Sequence, residues 1–128
     1  MFRERVDTTM IASFESEEAR ILFDLVLGRQ PLVFSVILRK IGGYTRSDRV
    51  RRFKIGVTND PMRRFLQVYR RLYDEMIVVY RSSSIDRVSD VEWEAVDYNR
   101  DLCDNKIGGG GGDYGYPPYF LYVPSLPI

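Results

Sequence analysis

Residues 53–65 read FKIGVTNDPMRRF, and this stretch decides how the chain is expected to fold. Residues 52–58, which include the first half of this stretch, are predicted to form a β-strand. Asn59-Asp60-Pro61 then predicts a helix start, because a capping side chain precedes proline at the first helical position. The apolar residues that follow recur on one helical face as far as Tyr73. The stretch therefore predicts a strand that leads directly into an amphipathic helix.

The segments before this stretch are predicted from their apolar patterns. The β-branched and aromatic run at residues 32–38, LVFSVIL, predicts a buried strand paired antiparallel with residues 52–58, and Gly42-Gly43 predicts a turn. An apolar stripe within residues 16–28 predicts an N-terminal helix that Ser16 caps and Gly28 ends. Residues 1–14 are expected to form an extended arm or a short strand.

The segments after this stretch continue the alternation of strands and helices. Residues 76–80 predict a third strand, and residues 85–103 predict a long helix capped by Ser84 or Asp86. Residues 107–118, IGGGGGDYGYPP, are incompatible with regular structure, and residues 119–123 predict a last strand. The expected fold is α+β, with a small, mainly antiparallel sheet of three or four strands flanked by helices.

Composition limits the organisation and the chemistry. The 128 residues fit a single domain, 1–128, with a core at about 32–112 and a Gly/Tyr/Pro-rich C-terminal segment, 107–128. The chain has no histidine, which excludes His-based catalysis and the usual zinc sites. The single cysteine, Cys103, excludes an internal disulfide. With no membrane-length apolar run and no signal-like N-terminus, the expectation is an intracellular protein with no membrane partner.

Charge is distributed unevenly along the chain. Residues 29–71 carry twelve Arg or Lys and two acidic residues, whereas the remainder carries seven basic and sixteen acidic residues. Basic residues concentrate in the segment 46–54, at Arg46, Arg49, Arg51, Arg52 and Lys54. Such a segment can contact a nucleic-acid backbone, or it can fold against the acidic remainder or an acidic partner.

The segment FKIGVTNDPMRRF resembles the second signature of the GIY-YIG nucleases, in particular the phage-type branch that carries Lys-Ile-Gly. The order of the following elements is similar too: a helix with Arg, a strand, a helix with Glu, and an Asn before a glycine-rich stretch. The resemblance covers residues 32–112. It implies a GIY-YIG-like fold and hydrolysis of a phosphodiester in DNA or RNA. It also implies one Mg²⁺ or Mn²⁺ ion, a tyrosine-assisted water and an arginine on the phosphate.

The resemblance assigns roles to individual positions. Lys54 stands where the family usually has its second tyrosine, and Val36 or Tyr44 would occupy the position of the first. Arg64 aligns with the catalytic arginine, with Arg63 as its neighbouring candidate. The remaining equivalences are Glu92 with the metal-binding glutamate and Asn105 with the late asparagine. The implied catalytic set is thus Lys54, Arg64 and Glu92, with Glu92 as the metal ligand.

The helical pattern independently singles out Glu92. On a helical wheel it falls between Val88 and Val96 in the apolar arc, where a carboxylate needs a partner. That partner can be Arg64, Lys54 or a metal; alternatively, Glu92 lies at the edge of the arc and pairs with an arginine. On the preceding helix, Arg64 and Arg71 lie one heptad apart, where they can grip phosphates or cover the core rim.

Nucleic-acid contacts are predicted at seven positions. They are Arg46, Arg49, Arg51, Arg52, Arg63, Arg71 and Asn105. Two functions follow: a nucleic-acid-binding domain with weak or lost metal-dependent cleavage, or an inactive protein-interaction or self-assembly module. The second would use Trp93, which lies off the apolar arc, and the Tyr-rich C-terminus. In that segment, Tyr119 and Tyr122 can instead cap the sheet, and Gly108–Gly112 can form a tether or an anion-binding nest.

Overall fold

One sheet and three helices make up the part of the chain described by the computed structural model, residues 8–15, 20–27, 32–105 and 115–128. The strands are β1 (Thr8–Glu15), β2 (Arg20–Leu27), β3 (Val50–Phe53), β4 (Gly56–Thr58), β5 (Glu75–Ser82) and β6 (Tyr119–Pro127). The helices are α1 (Leu32–Tyr44), α2 (Pro61–Arg64), continued by a π-helical turn (Phe65–Tyr69), and α3 (Ile85–Tyr98). The predicted α+β class is confirmed.

The sheet is mixed, with the strand order β1-β2-β5-β6-β3, and β4 pairs with β6 beside β3. β2 and β5 are parallel, whereas the other four pairings are antiparallel. The six strands contradict the predicted count of three or four. The N-terminal segment adds β1 and β2, the predicted strand at residues 52–58 divides into β3 and β4, and residues 32–38 are helical. β6 lies inside the sheet, with β5 on one side and β3 and β4 on the other.

The predicted N-terminal helix, 16–28, is wrong where the structure describes it, because residues 20–27 form β2. Ile21 and Leu25 pack on one face of the sheet, while Val26 packs on the other. A strand covered on both faces is apolar at nearly every position, so its sequence also contains a helical stripe. The proposed cap, Ser16, lies outside the described residues.

The predicted strand at residues 32–38 is wrong as well, because this segment begins α1. The buried residues Val33, Val36, Ile37 and Ile41 follow helical spacing and pack in one core cluster. A short apolar run fits either structure, and only its continuation decides between them. The helix runs through Gly42 and Gly43 rather than turning there, and Tyr44 is its last residue.

The predicted strand at residues 52–58 is interrupted at Lys54 and Ile55, which separate β3 from β4. Both β3 and β4 pair with β6, whereas the predicted partner was residues 32–38. The side chain of Asn105 spans the interruption: its Oδ1 accepts from the Ile55 N–H at 3.0 Å, and its Nδ2 donates to the Ile55 carbonyl at 2.8 Å. An amide side chain thus replaces the ladder bonds that the break removes.

The predicted helix start is confirmed, since Asp60 caps α2 by accepting from the Arg63 N–H at 3.1 Å and Pro61 occupies the first turn. The prediction that a regular helix continues as far as Tyr73 is wrong. After four residues the backbone widens into the π turn, in which the Arg70 N–H donates to the Phe65 carbonyl at 2.9 Å. The turn places Phe65 and Tyr69 against the sheet.

The C-terminal half follows the predictions more closely. β5 and β6 include the predicted strands, and Ser84 caps α3 by accepting from the Arg87 N–H at 3.2 Å. α3 ends at Tyr98, five residues short of its predicted end. None of the helices in the described residues is long and apolar enough to cross a membrane. The glycines at 108–112 lie outside the described residues.

The sheet is covered on both faces, and each face has its own core cluster. α1 and α3 cover one face, called here the helix-pair face, which includes Val57, Val79 and Leu121. The π turn covers the other, called here the π-turn face, through Phe65 and Tyr69. Because side chains alternate along a strand, neighbouring residues of β4 and β6 point to opposite faces.

Candidate functional site

A pair of tyrosines lies at the centre of the π-turn face. Tyr122, from β6, is buried, and its hydroxyl lies 3.0 Å from the hydroxyl of Tyr69 in the π turn. Tyr122 is paired across the ladder with Gly56 of β4. A Cβ atom at Gly56 would lie 2.4 Å from the Tyr122 hydroxyl oxygen. Glycine is therefore required at position 56 by the close approach of this ring.

Lys54 extends this site from the interruption between β3 and β4. Its Nζ lies 5.7 Å from the centre of the Tyr69 ring, and its backbone N–H donates to the Pro124 carbonyl at 3.0 Å. The ammonium group therefore lies on the π-turn face and interacts with the aromatic ring. No acidic side chain in the described part of the chain pairs with it.

Arg64, the last residue of α2, is half-buried beside the tyrosine pair. Its backbone N–H donates to the Asp60 carbonyl at 3.0 Å. Within the described residues its guanidinium has no hydrogen-bond or ion-pair partner. Its positive charge lies near enough to Tyr122 to lower the pKa of that hydroxyl. The site thus contains two cations, Lys54 and Arg64, for which the described part of the chain supplies no counter-ion.

Glu92 adds a carboxylate from α3, the helix that covers the helix-pair face, and its charge acts on Tyr122 as the weakest of the effects on that pKa. It is only 5% exposed, so its predicted position in the apolar arc is confirmed. Burial raises the pKa of Glu92 from its usual 4.5 to about 7. No cation among the described residues, Arg64 and Lys54 included, forms an ion pair with it.

The pKa of Tyr122 responds to burial and to three neighbouring side chains. Burial, followed by the neighbouring Tyr69, raises the pKa of Tyr122 well above its usual value. The charge of Arg64 lowers this pKa and that of Glu92 raises it further. Tyr122 therefore keeps its proton at neutral pH and lies within electrostatic range of both the cation and the carboxylate.

Glu92 is the residue here that can hold a metal ion. The described residues contain no group of three or more Cys, Asp or Glu side chains suited to a metal. A site with one carboxylate suits Mg²⁺, which keeps several water ligands and uses one or two carboxylates together with substrate phosphate. A buried carboxylate without a protein cation is compatible with such an ion.

Three other predicted residues have partners elsewhere. Arg52 lies 5.2 Å from the centre of the Tyr73 ring, and its Nε is 3.8 Å from Asp104. Arg63 is exposed, with its Nε 3.7 Å from Asp60. Asn105 uses both ends of its amide on the Ile55 backbone. These contacts give Arg52 and Asn105 structural roles, while Arg63 borders the site next to Arg64.

The remaining predicted arginines are exposed. Arg46 pairs with Asp48 at 3.1 Å, and Arg49 donates to the Gly43 carbonyl at 3.4 Å. Arg51, on β3, and Arg71, after the π turn, have no side-chain partner among the described residues. Because five residues of π-helical turn lie between α2 and Arg71, the predicted heptad ladder of Arg64 and Arg71 is not formed.

Neither position aligned with the family's first tyrosine belongs to this site. Val36, on α1, is buried in the core, and Tyr44 donates its hydroxyl to Asp24. The tyrosine at the site, Tyr122, was expected only to cap the sheet or contact a subunit. The sequence around it, FLYV at residues 120–123, indicates an apolar strand. No sequence pattern predicts that this strand pairs with the segment that contains Gly56.

The resemblance to the GIY-YIG nucleases stays a prediction. The chain matches none of the protein-family profiles, curated proteins or solved structures with which it was compared.

Proposed function

We propose that the site formed by Lys54, Arg64, Tyr122 and Glu92 binds a phosphodiester of DNA or RNA and hydrolyses it with a divalent cation. The observation that carries the proposal is that Lys54 and Arg64 have no counter-ion among the described residues and lie near a protonated tyrosine, with a buried carboxylate on α3. Unpaired charges in partly buried positions are unfavourable unless a ligand compensates them. An anionic phosphate would compensate Lys54 and Arg64, and a cation would compensate Glu92.

The two cations would position the phosphate. The guanidinium of Arg64 presents a planar set of donors that suits two phosphate oxygens, whereas Lys54 contributes a compact charge. Lys54 is held by the Tyr69 ring and by the backbone of β6. Exposed Arg63, Arg51 and Arg71 would add contacts along the backbone of the nucleic acid. Such contacts do not read base identity.

Glu92 would hold the metal ion, Mg²⁺ or Mn²⁺, whose chemistry is to polarise the phosphate and to lower the pKa of a bound water. The carboxylate must be ionised to bind a cation, and its pKa of about 7 makes binding stronger above neutral pH. With a cation bound, the cost of burying the ionised carboxylate would be offset.

Tyr122 would act through its hydroxyl hydrogen. A phenol is protonated at neutral pH, and the raised pKa of Tyr122 makes loss of its proton still less favourable, so it would donate a hydrogen bond rather than act as a base on an attacking water. Tyr69 would fix the direction of that hydroxyl through the 3.0 Å contact. A donor held in place before the reaction can stabilise charge that develops on a phosphate oxygen.

The test is a cleavage and binding assay on single- and double-stranded DNA and RNA, with Mg²⁺, Mn²⁺ or chelator. The variants are Arg64→Gln, Glu92→Gln and Tyr122→Phe, and the control is Arg87→Gln, which removes an exposed charge outside the site. We expect metal-dependent cleavage that falls at least about 10²-fold in the three site variants and is unchanged in the control. Equal activity in all four variants would refute the assignment.

Metal binding can be measured without activity. Mn²⁺ is expected to raise the unfolding midpoint of the wild type at pH 8, because a ligand that binds only the folded state stabilises it. Glu92→Gln should abolish this increase, whereas Glu94→Gln, which removes an exposed carboxylate of the same helix, should retain it. An increase of the same size in both variants would place the ion elsewhere.

A second function, a protein-interaction or self-assembly module, is favoured by one observation: Trp93 is 56% exposed on α3, as its position off the apolar arc predicted. Exposed tryptophans are frequent anchors of interfaces. Sedimentation velocity over a range of concentrations tests this function. Self-association that Trp93→Ser abolishes and Arg64→Gln leaves intact would support it, and a monomer at all concentrations would exclude self-assembly.

A further inference from the structure

A second cationic site lies on the helix-pair face, at the C-terminal end of α1. It is a cleft of about 420 Å³. Its walls come from β2, α1 and the loop that follows α1, through Asp24, Lys40, Gly43, Tyr44, Arg46 and Arg49. Its lining includes none of Lys54, Arg64, Tyr122 and Glu92, so this cleft is separate from the site proposed above.

Asp24 anchors the wall of the cleft and does not offer a free charge to a ligand. It is 5% exposed, it accepts from the Lys40 Nζ at 3.1 Å, and it accepts from the Tyr44 hydroxyl through its other oxygen. Both carboxylate oxygens are therefore occupied. Burial, with the hydrogen bond to Asp24 as the second cause, raises the pKa of Tyr44, so its hydroxyl remains a donor.

The cations of the cleft exceed its acidic groups. Among the described residues Lys40 has one acidic partner, Asp24, and its ammonium carries three donors. Arg46 pairs with Asp48, but both side chains are about 65% exposed, so this ion pair is weak and can exchange for a ligand. Arg49 has no acidic partner in the described residues; its contact there is with the Gly43 carbonyl at 3.4 Å.

We propose that this cleft binds the phosphate of a phosphate ester, with Lys40, Arg46 and Arg49 as its cationic contacts. Its volume falls within the range of small-molecule sites, so it can accept a group of nucleotide size rather than a bare ion alone. Lys40 is held by the buried Asp24 in advance of binding, which lowers the ordering cost of that contact. The phosphate can belong to a free nucleotide or to a nucleic-acid backbone.

The test uses ¹H–¹⁵N NMR titrations that follow the Gly43 amide with three probes: inorganic phosphate, a nucleoside monophosphate and a short single-stranded oligonucleotide. The variant is the double substitution Arg46→Gln/Arg49→Gln, which removes exposed charges and should leave the fold intact. The matched control is Arg81→Gln/Arg87→Gln, which makes the same change in net charge at exposed positions outside the cleft.

Saturable shifts of Gly43 that the cleft variant weakens at least about tenfold, and the control less than about twofold, would support the proposal. Saturation by the nucleoside monophosphate would identify a free ester as a sufficient ligand, and saturation by the oligonucleotide alone would identify a nucleic-acid backbone. No saturation with any probe, or equal weakening in both double variants, would overturn it. If the wild type shows these shifts but no metal-dependent cleavage, the proposed nuclease site alone is refuted.

Discussion

The hydroxyl oxygens of Tyr69 and Tyr122 lie 3.0 Å apart, and they join the π turn to the central strand β6. The two rings also contact each other, with their centres 5.6 Å apart. Lys54 lies over the Tyr69 ring, while the charges of Arg64 and Glu92 act on Tyr122. The tyrosine pair therefore contacts Lys54 and responds to the charges of Arg64 and Glu92.

The two tyrosines are expected to contribute equally to stability and unequally to activity. Tyr69→Phe and Tyr122→Phe remove the same hydrogen bond, so each should lower the free energy of unfolding by about 1–2 kcal/mol in urea denaturation. Only Tyr122→Phe removes the proposed donor to the phosphate, and it should lower cleavage more than Tyr69→Phe does. Equal losses of cleavage would mean that the pair acts only by holding the π turn.

Glu92 should make stability depend on pH. Because its pKa in the folded protein is about 7 and its usual value is 4.5, the folded chain keeps a proton that the unfolded chain releases between these values. The free energy of unfolding should therefore fall as pH rises from about 4.5 to 7 and then level off.

Replacing Glu92 by Gln should remove this decline and stabilise the metal-free protein by roughly 3 kcal/mol at pH 8, with little change at pH 4. Urea denaturation from pH 4 to 8.5 provides the measurement, with exposed Glu94→Gln as the control on the same helix. If both variants retain the wild-type pH profile, the Glu92 carboxylate does not titrate as a buried group.

Local sequence signals predicted the segment around Asp60 and Pro61 correctly. A side-chain cap and a proline act within one helical turn, so their effect does not depend on the rest of the fold. The same holds for Ser84 at the start of α3. Glu92 was also identified from the sequence, because an acidic residue within an apolar helical stripe is visible at a spacing of three or four residues.

In the N-terminal half the prediction assigned a helix to the segment that forms a strand and a strand to the segment that forms a helix, and this error has a different cause. Residues 20–27 and 32–38 are both almost continuously apolar, and which of them joins the sheet depends on pairing with β5, some fifty residues away. Tyr122 was missed at the site for a similar reason. Its neighbours there, Lys54 and Arg64, precede it by more than fifty residues, and only the pairing of β4 with β6 brings them together.

Asn105 is predicted to stabilise the interruption between β3 and β4. Asn105→Ala would leave the N–H and the carbonyl of Ile55 without partners in a partly buried position, and should lower the free energy of unfolding by about 2–4 kcal/mol. Asn59→Ala removes one exposed side-chain bond, to the Tyr116 carbonyl, and should cost much less. Hydrogen exchange at the Ile55 amide should accelerate in Asn105→Ala alone; unchanged protection of that amide would show that the bond to Asn105 is not made.

Gly56→Ala tests the close approach of the Tyr122 ring to β4. The added methyl group would lie 2.4 Å from the Tyr122 hydroxyl oxygen and 2.5 Å from Cζ, which is too close for the ring to stay in place. We expect a loss of about 1–3 kcal/mol from overpacking and reduced cleavage, because the displaced hydroxyl no longer meets Tyr69. Gly43→Ala is the matched control: its Cβ would have no neighbour within 4 Å, and alanine favours a helix, so stability should be unchanged or increase. Equal effects of the two substitutions on the unfolding midpoint would contradict the packing of Tyr122 over Gly56.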